Sequence, residues 1–317
     1  RMRHNVCVVG GTGFVGSHLV ARLVSMGYAV RLPTRRVDAA KALGVLPGVE
    51  LVECDVHDPR ALERVIAGSD AVINLVGILH SDRGTPYGRA FARAHVELPR
   101  KIAQACSDRG IARLIHMSAL GADSNGPSMY QRSKGDGEVA IRATGIPVTI
   151  FRPSVVFGPG DHFLNTFAAL QRRLPVVPLA CATARFQPIY VMDVAQAFAS
   201  AIDNDATLGK TYELGGPEVY TLEALVRFAG AACGCERPIL RLPEGAARLQ
   251  AAFFERLPGE PIITRDNLDS MRVDNVMSGP LAPELGLVPN GLEIAVDYLD
   301  GDSEERRLSD YRRYAGR

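Results

Sequence analysis

Short apolar runs alternate with longer segments of helical periodicity in the first half of the chain. The apolar runs predict six strands, with the sequences NVCVV, YAVRL, VELVEC, AVINLVG, RLIHM and PVTIF. Apolar residues at helical spacing predict helices over residues 14–26, 88–109 and 129–144. Strands and helices that alternate in this way predict an α/β fold, in which right-handed βαβ units build a doubly wound parallel sheet.

The pattern changes after Phe151, where prolines, glycines and an aperiodic apolar stretch replace the regular alternation. Strand-like and helix-like character returns at IYVMDVAQAFASAI and ends with one more strand, KTYEL. We therefore predict two interleaved domains. A sheet domain comprises residues 1–152 and 186–214, and a smaller C-terminal domain on the substrate side comprises residues 153–185 and 215–317. The final segment, DGDSEERRLSDYRRYAGR, is highly charged, which predicts a solvated helix or a loose end.

Composition narrows the range of partners. The chain has 317 residues, 22% of them charged, and a formal net charge of +1, so no nucleic-acid partner is expected. No stretch contains the roughly 20 apolar residues that span a bilayer, so no transmembrane segment is expected. The start, RMRHNV, lacks the apolar core of a secretory signal, which predicts a cytoplasmic protein. Beyond an isolated Cys233-x-Cys235, the cysteines and histidines show no metal-ligand spacing, so no metal is expected.

Three glycines, Gly10, Gly13 and Gly16, form a G-x-x-G-x-x-G motif directly after the first strand, where the first helix opens. In this strand–turn–helix setting, their spacing is typical of a Rossmann-type dinucleotide site. We expect Gly10 to permit the tight turn, Gly13 to let the backbone approach the pyrophosphate, and Gly16 to bring the helix close to the sheet. The N-terminal N–H groups of the helix would bind the phosphates, which adds three further residues to the coenzyme site, namely Thr12, Phe14 and Val15.

The second strand ends without the carboxylate that usually holds the adenosine ribose. Thr34, Arg35 and Arg36 stand there instead. A carboxylate would repel a 2′-phosphate, whereas an arginine offers paired donors to its oxygens, so these residues predict NADP(H) rather than NAD(H). The alternative is that both arginines are ordinary solvated loop residues. Asp55 and Val56, which follow the third strand, are expected at the adenine edge.

The sequence YQRSK contains Tyr130 and Lys134, which complete a Y-x-x-x-K motif. Together with the glycine turn, NLVG, FRPSVVFGPGD and PIYVMDVAQAF, this motif resembles the extended and atypical short-chain dehydrogenases/reductases over roughly residues 5–220. Within that superfamily, the chain is most similar to the NADPH-binding accessory subunit of respiratory complex I and its bacterial relatives. The resemblance implies that the coenzyme also contacts Leu75, Val76, Gly77, Lys134 and Pro153.

Tyr130 and Lys134 are four positions apart, so they share one face of a helix. An ammonium beside a phenol stabilises the phenolate, which would make Tyr130 the catalytic proton donor or acceptor, with Lys134 at the nicotinamide ribose. The resemblance implies a third catalytic residue after the fifth strand, a Ser or Thr that polarises the substrate oxygen. Ser118 is the candidate, although the position that matches the catalytic hydroxyl of many epimerases is Ala119.

Three functions remain open at this point. The first is an oxidoreductase that acts on a small, apolar carbonyl or alcohol, such as an isoprenoid-like compound. The second is a non-catalytic NADPH-binding accessory or assembly protein with a respiratory-chain or membrane-associated partner, peripheral to the inner membrane. The third is a nucleotide-sugar epimerase or dehydratase. This third function is disfavoured because Phe186 replaces the arginine expected seven residues before Asp193, and because the surrounding excursion is apolar.

The segment GAARLQAAFFERLPGEP places Leu249, Phe253 and Leu257 on one helix face, with Phe254 beside them. Core packing is the favoured interpretation of this face, and a contact with a partner or a membrane surface is the alternative. Asp193 is expected near the start of another helix, where its carboxylate would cap the N-terminus.

Overall fold

The computed structural model describes residues 4–299, and its centre is a seven-stranded parallel sheet. The described residues form thirteen strands: β1 (Asn5–Val9), β2 (Ala29–Thr34), β3 (Val49–Glu53), β4 (Ala71–Asn74), β5 (Arg113–Met117), β6 (Thr149–Pro153), β7 (Val156–Phe157), β8 (Val177–Leu179), β9 (Arg185–Phe186), β10 (Ile189–Tyr190), β11 (Thr211–Leu214), β12 (Tyr220–Thr221) and β13 (Ile239–Arg241). The large sheet has the order β11-β6-β5-β4-β1-β2-β3, and every neighbouring pair in it is parallel. The predicted doubly wound α/β fold is confirmed.

Helices surround this sheet and extend beyond it. The α-helices among residues 4–299 are α1 (Phe14–Ser25), α2 (Lys41–Gly44), α3 (Pro59–Ile66), α4 (Arg89–Phe91), α5 (Leu98–Asp108), α6 (Met129–Arg142), α7 (Leu164–Arg173), α8 (Val191–Ala201), α9 (Leu222–Ala232), α10 (Glu244–Phe254), α11 (Arg265–Ser270) and α12 (Val296–Leu299). A π-helical segment joins α4 to α5, and short 3₁₀ turns occur at Val37–Ala40, Asp205–Thr207, Pro283–Leu285 and Leu292–Ala295.

Both faces of the large sheet are covered by helices. Side chains alternate along β1, so Val6 and Val8 belong to one apolar cluster, whereas Cys7 and Val9 belong to another. Helices α1 and α8 pack on the first face, and α3, α5 and α6 contribute buried residues to the second. Strands buried on both faces are nearly continuous apolar runs, which is why the sequence predicted most of them to within two residues.

The long helix predicted over residues 88–109 runs from Arg89 to Asp108, as α4, the π-helical segment Ala92–Glu97 and α5. The π segment contains His95, whose carbonyl oxygen would lie 2.0 Å from a β-carbon at Gly137. Helix α6 can therefore approach the π segment this closely only because residue 137 is glycine. Such segments inside α-helices often accompany functional sites, and this one adjoins the helix that carries Tyr130.

The chain after β6 forms smaller units beside the large sheet. Three two-stranded sheets pair β7 with β10, β9 with β12 and β8 with β13, and three small apolar clusters take the place of one large core. We call residues 4–152 and 186–214 the sheet region, and residues 153–185 and 215–299 the substrate-side region. These names follow the predicted domain boundaries, which stay a prediction. The charged tail of residues 300–317 lies outside the described residues.

The apolar face of α10 is exposed, so the core-packing prediction for it is wrong. Leu249 and Phe253 on α10 are 75% and 60% exposed, and Leu257, which lies beyond the end of the helix, is 45% exposed. The helix is buried instead through two small residues, Ala247 and Ala251, which pack on α11. Small side chains let two helices approach closely, and here they leave the larger residues outside the contact. Within residues 4–299, no helix combines the length and apolar character that crossing a bilayer requires.

Candidate active site

Of the three motif glycines that follow β1, Gly10 and Gly16 are sterically constrained. Gly10 has a φ of +82°, and a β-carbon on it would lie 2.9 Å from the backbone nitrogen of Val76. A β-carbon at Gly16 would lie 2.5 Å from the Gly10 carbonyl oxygen, so glycine lets α1 pack directly against the turn. At Gly13 the nearest such contact would be 3.4 Å away. The fold does not demand glycine at Gly13, which suits a backbone position that a ligand approaches.

The N-terminus of α1 is open to a phosphate. Gly13 is its N-cap, no side chain caps the helix, and the first turn carries no acidic residue. The first-turn N–H groups, at Phe14 and Val15, have no acceptor within the helix, and the helix dipole adds partial positive charge. Thr12 is exposed beside them. These features favour anion binding at this turn.

Two arginines follow β2 at the edge of the sheet. Thr34 ends that strand, and the side chains of Arg35 and Arg36 are exposed. Neither guanidinium takes part in the ion pairs formed among residues 4–299. Asp55 and Val56 follow β3, which pairs with β2 in parallel, so their strand end is the neighbouring one. The structure thus brings the predicted 2′-phosphate and adenine residues to adjacent strand ends.

The residues predicted at the nicotinamide side also meet at strand ends. Residues 75–77 follow β4, and their backbone contacts the glycine turn at Gly10. A β-carbon at Gly77 would lie 4.0 Å from Lys134 Nζ. Pro153 ends β6, and its carbonyl oxygen accepts a hydrogen bond from Leu120 N at 3.0 Å. Residues 75–77, Lys134 and Pro153 therefore belong to the carboxyl ends of β4 to β6 or to the helix packed over them.

Tyr130 and Lys134 lie one turn apart on α6. Lys134 is 4% exposed, and its Nζ donates to the Met117 carbonyl oxygen at 2.9 Å. Burial lowers the pKa of Lys134 to about 8, against the opposing effect of the Glu138 carboxylate. Burial raises the pKa of Tyr130 to about 12, so its phenol is neutral at pH 7. The site therefore holds a protonated phenol, which suits a proton donor.

Two buried histidines lie near these residues. The ring of His95 packs edge-on against Tyr130, with centroids 5.5 Å apart. Its Nε2 accepts a backbone N–H at 3.1 Å, and its Nδ1 lies 2.8 Å from Ser133 Oγ. Burial, reinforced by the Lys134 charge, lowers the pKa of His95 to about 2 and that of His116 well below its usual value. Both imidazoles are therefore neutral and fix the surroundings of the Tyr–Lys pair without adding charge.

Ser118 lies close to a buried ion pair. Glu138 is 1% exposed and accepts hydrogen bonds from Arg152 Nε at 2.8 Å and Nη2 at 2.7 Å. Burial alone would raise the pKa of Glu138, but the Arg152 guanidinium and the Ser118 hydroxyl hold it below its usual value. The buried Ser118 Oγ has no hydrogen bond of ordinary geometry within the described residues. Ser118 is thus placed to influence Glu138, which lies one turn from Lys134.

An acidic residue far along the chain holds the start of α6. Asp266, in α11 of the substrate-side region, accepts hydrogen bonds from the backbone N–H of Met129 at 2.7 Å and of Tyr130 at 3.1 Å. Ser270 Oγ, one turn further along α11, donates to Ser128 Oγ at 2.8 Å. The two regions therefore meet at the candidate catalytic tyrosine.

Asp193 does not cap α8, which corrects the sequence-based expectation. The helix begins at Val191, and no side chain caps it. The Asp193 carboxylate instead accepts hydrogen bonds from the backbone N and side-chain Nδ2 of Asn290, both at 2.7 Å. It thereby fastens the substrate-side region to the sheet region.

Three residues of the site were missed from the sequence. Glu138 could have been found, because it extends the Tyr130–Lys134 row by one further helical turn. His95 gave only a weak signal, because it belongs to no motif and shows no metal-ligand spacing with the other histidines. Asp266 gave none, because it is 136 residues from Tyr130 and resembles any surface aspartate in sequence. Within residues 4–299, no group of three or more His, Cys, Asp or Glu residues could hold a metal ion.

A family model and several known proteins resemble this chain. Residues 6–215 match the NAD dependent epimerase/dehydratase family. The mitochondrial NADH dehydrogenase (ubiquinone) 1 alpha subcomplex subunit 9 of Rattus norvegicus is 33% identical over 295 residues, or 90% of this chain and 77% of that protein. The ceramide reductase of Caulobacter vibrioides is 34% identical over 241 residues, or 75% of this chain and 74% of that protein.

The solved structure of an epimerase from Methanothermobacter thermautotrophicus has a TM-score of 0.77 and 15% identity, and the match covers 98% of this chain and 95% of that one. At that identity the likeness shows the shared fold. The family match extends from β1 to the residue after β11, so it includes both the glycine turn and the Tyr–Lys helix. The chain therefore belongs to the NAD dependent epimerase/dehydratase family, whose members bind a nicotinamide dinucleotide.

Proposed function

We propose that the protein is an NADP(H)-dependent reductase of the short-chain dehydrogenase/reductase type, with an apolar carbonyl compound as substrate. The position of Lys134 is the observation that carries this function. Its buried ammonium binds the carbonyl oxygen at the end of β5 and lies beside Gly77, and Tyr130 stands one turn away on the same helix. A cation and a proton donor would thus meet the nicotinamide end of a coenzyme whose phosphates bind at the glycine turn.

The coenzyme would be held at the carboxyl ends of the strands. The N-terminus of α1 would bind the pyrophosphate, and Arg35 and Arg36 would bind the 2′-phosphate through paired N–H donors. The preference for NADP(H) is supported by the absence of a carboxylate at the end of β2 and by two guanidinium groups that no described acid neutralises. Asp55 and Val56 would line the adenine, and residues 75–77 and Pro153 would line the nicotinamide side.

Tyr130 would act as the acid. When bound, NADPH supplies a hydride, which forms the new C–H bond at the substrate carbonyl carbon. Tyr130 Oη would give its proton to the carbonyl oxygen as the C=O π bond breaks, which leaves an alcohol and a phenolate. Lys134, which is protonated below a pH of about 8, would stabilise that phenolate. The Glu138 carboxylate, one turn further along α6, favours the charged form of Lys134.

Two exposed apolar side chains lie close in sequence to residues near Tyr130, which supports an apolar substrate. Leu79, in the loop after β4, is 58% exposed, and Ile262, just before α11, is 53% exposed. Leu79 follows Ile78, whose N–H donates to His95. Ile262 precedes Asp266 by four residues, and Asp266 accepts the Tyr130 N–H. A relative named for the reduction of ceramide supports the same substrate class.

The apolar excursion after α7 does not add to this support. Val177 and Leu179, which made the excursion look suited to an apolar ligand, are 1% and 5% exposed and pack inside a core cluster of the substrate-side region. Their apolarity is explained by packing. The proposed substrate class therefore depends on the exposed Leu79 and Ile262 and on the named relative.

A second candidate function is that of a non-catalytic NADP(H)-binding accessory or assembly protein. It is favoured by the 33% identity, over 90% of this chain, with a mitochondrial NADH dehydrogenase subunit. Ala119 stands at the position of a catalytic hydroxyl in many epimerases, which also favours the accessory function. Without that hydroxyl, an oxyanion that develops on the substrate would be less stabilised. In this function the partner would be a respiratory-chain protein, the location would be peripheral to the inner membrane, and the coenzyme would be structural.

A nucleotide-sugar substrate has less support. Phe186 stands where an arginine would grip the diphosphate, and its neighbour Arg185 forms an exposed ion pair with Asp274 at 3.5 Å. The aspartate seven residues later, Asp193, binds Asn290. No arginine thus takes the expected place in this segment of the described chain.

The test compares the native protein with Tyr130→Phe and with a matched control, Tyr212→Phe. The Tyr212 hydroxyl donates to Glu284 at 3.0 Å on β11, so the control makes the same chemical change away from the site. Each protein is incubated with NADPH deuterated at C4 and with quinones, aldehydes and long-chain ketones, and mass spectrometry measures deuterium in the product. We expect Tyr130→Phe to slow transfer at least about 100-fold at unchanged NADPH affinity, because acid catalysis contributes about 10²–10⁴-fold.

Three other outcomes separate the candidate functions. Transfer that survives in Tyr130→Phe would exclude Tyr130 as the acid. No transfer to any compound by the native protein, together with tight stoichiometric binding of NADPH, would favour the accessory function. Micromolar binding of a UDP-sugar in calorimetry would favour the epimerase or dehydratase function.

A further inference from the structure

We infer that Asp266 is a positioning residue for Tyr130, so that a carboxylate of the substrate-side region sets the orientation of the proton donor. This inference rests on the proposed reductase function. Asp266 does not act on the reacting atoms, since it binds the backbone at the first turn of α6 and not the phenol. It would act through the helix that carries Tyr130.

Helix α6 does not need Asp266 in order to begin. A capping box starts the helix locally: Ser128 Oγ accepts from Gln131 N at 3.1 Å, and Gln131 Oε1 accepts from Ser128 N at 3.3 Å. This capping box provides no acceptor for the N–H groups of Met129 and Tyr130. One carboxylate oxygen of Asp266 binds each of them, so the long-range contact is made at the tyrosine itself.

The helix that supplies Asp266 is anchored at both of its ends. Thr264 and Asn267 form a second capping box, which fixes the start of α11 next to Asp266. At the other end, Ser270 Oγ donates to Ser128 Oγ at 2.8 Å, and the Ser270 carbonyl oxygen accepts from Gln131 Nε2 at 3.4 Å. Helix α11 therefore binds the first turn of α6 at several points and holds the Asp266 carboxylate in place.

Tyr130 is thus held from two directions. On the sheet side, its ring packs edge-on against Phe91 and His95, with centroids 6.0 and 5.5 Å away. On the other side, Asp266 holds its backbone nitrogen. The ring contacts limit where the phenol can move, and the carboxylate sets where the helix presents it. Proton donation to a substrate depends steeply on such placement.

The experiment uses Asp266→Asn in the full chain, with Asp269→Asn as the matched control on the same helix. The introduced carboxamide would keep one acceptor oxygen and lose the second together with the charge. Asp269 binds Arg248 at 2.9 Å, so its replacement loosens α11 from α10 but not from α6. Hydrogen exchange of the Met129 and Tyr130 amides is followed by NMR, and kcat, KM and NADPH affinity are measured with the best substrate from the deuterium assay.

We expect exchange at the two amides to rise at least about 10-fold in Asp266→Asn, with a fall in kcat of about the same size. KM, NADPH affinity and the melting temperature should stay close to native in Asp266→Asn, and the control should match native in amide exchange, kcat, KM and NADPH affinity. Unchanged exchange would overturn the inference, and so would faster exchange with native kcat. A fall in stability that accounts for the lost kcat would also overturn it.

The inference can be judged even if the proposed function fails. If the native protein transfers deuterium to no compound, the reductase function is rejected on its own. The carbon-13 resonance of the Tyr130 ring then replaces kcat as the second measurement. A shifted resonance and faster amide exchange in Asp266→Asn, but not in Asp269→Asn, would support positioning, and a native resonance would overturn it.

Discussion

The sheet region and the substrate-side region bury their apolar side chains in different ways. In the large sheet, strands of four to six residues separate two large apolar clusters. Outside the large sheet, the described strands have two or three residues and pair in twos, and the buried residues of the substrate-side region are shared mainly among three small clusters. The sheet region therefore fixes its site by close backbone packing, whereas the substrate-side region depends more on individual side-chain contacts such as those of Asp266.

We expect the largest effect from two glycine-to-alanine changes, one in a helix of each region, which test this comparison directly. A β-carbon at Gly16 would lie 2.5 Å from a backbone oxygen, whereas one at Gly245 in α10 would meet nothing within 4 Å. We expect Gly16→Ala to lower the free energy of unfolding by about 3 kcal/mol and to weaken NADPH binding strongly. Gly245→Ala should raise that free energy by less than about 1 kcal/mol. Urea unfolding measures both, and similar values for the two variants would break the comparison.

We expect residues of the sheet region alone to determine the preference for NADPH over NADH. Replacing Arg35 and Arg36 with alanine should weaken NADPH binding about 10–100-fold, since hydrogen bonds to charged groups contribute about 1.5–3 kcal/mol. NADH binding should change little, because NADH lacks the 2′-phosphate. Fluorescence titration measures both, with Arg256→Ala, an exposed arginine of the substrate-side region, as the control. Equal affinity of the native protein for NADPH and NADH would contradict the prediction.

The smallest effect is expected on the exposed face of α10. Leu249 is 75% exposed, so Leu249→Ala should lower the free energy of unfolding by less than about 0.5 kcal/mol. Leu268 of the adjoining α11 is 5% exposed, and Leu268→Ala should cost about 2–3 kcal/mol. Thermal and urea unfolding would compare the two. A large loss at Leu249 would mean that its side chain is covered in solution.

The same contrast explains which parts of the fold were predictable. The segment NVCVV matches β1 residue for residue, because a strand buried on both faces is a nearly continuous apolar run. The strands of the substrate-side region are too short to show a period of two. The core-packing prediction for α10 was wrong because amphipathicity identifies an apolar face without saying what covers it. The buried contact is made by Ala247 and Ala251, which contribute little to such a pattern.

Within the candidate site, features formed by residues close together in the sequence could be predicted, and contacts between distant residues could not. The glycine turn and the Tyr130–Lys134 pair are local motifs, and the sequence revealed both. The Asp266 contact joins residues more than a hundred positions apart, and no local pattern encodes it. The direction of the Tyr130 pKa shift was also out of reach, because it is set by burial, which depends on the whole fold.

The place of β11 in the sheet restricts how this protein can be recombined with its relatives. The strand pairs with β6, but the chain reaches it only after passing through α7 and through α8, which packs on α1. A fragment that stopped at Pro153 would lack α8 and would expose β6 as an unpaired edge, which is prone to association. Exchange of substrate preference by chimera would therefore need separate grafts on the two sides of β11, with α8 and β11 left in the recipient. A graft of one contiguous segment would also replace α8 and β11, which are part of the sheet region that is proposed to bind the coenzyme.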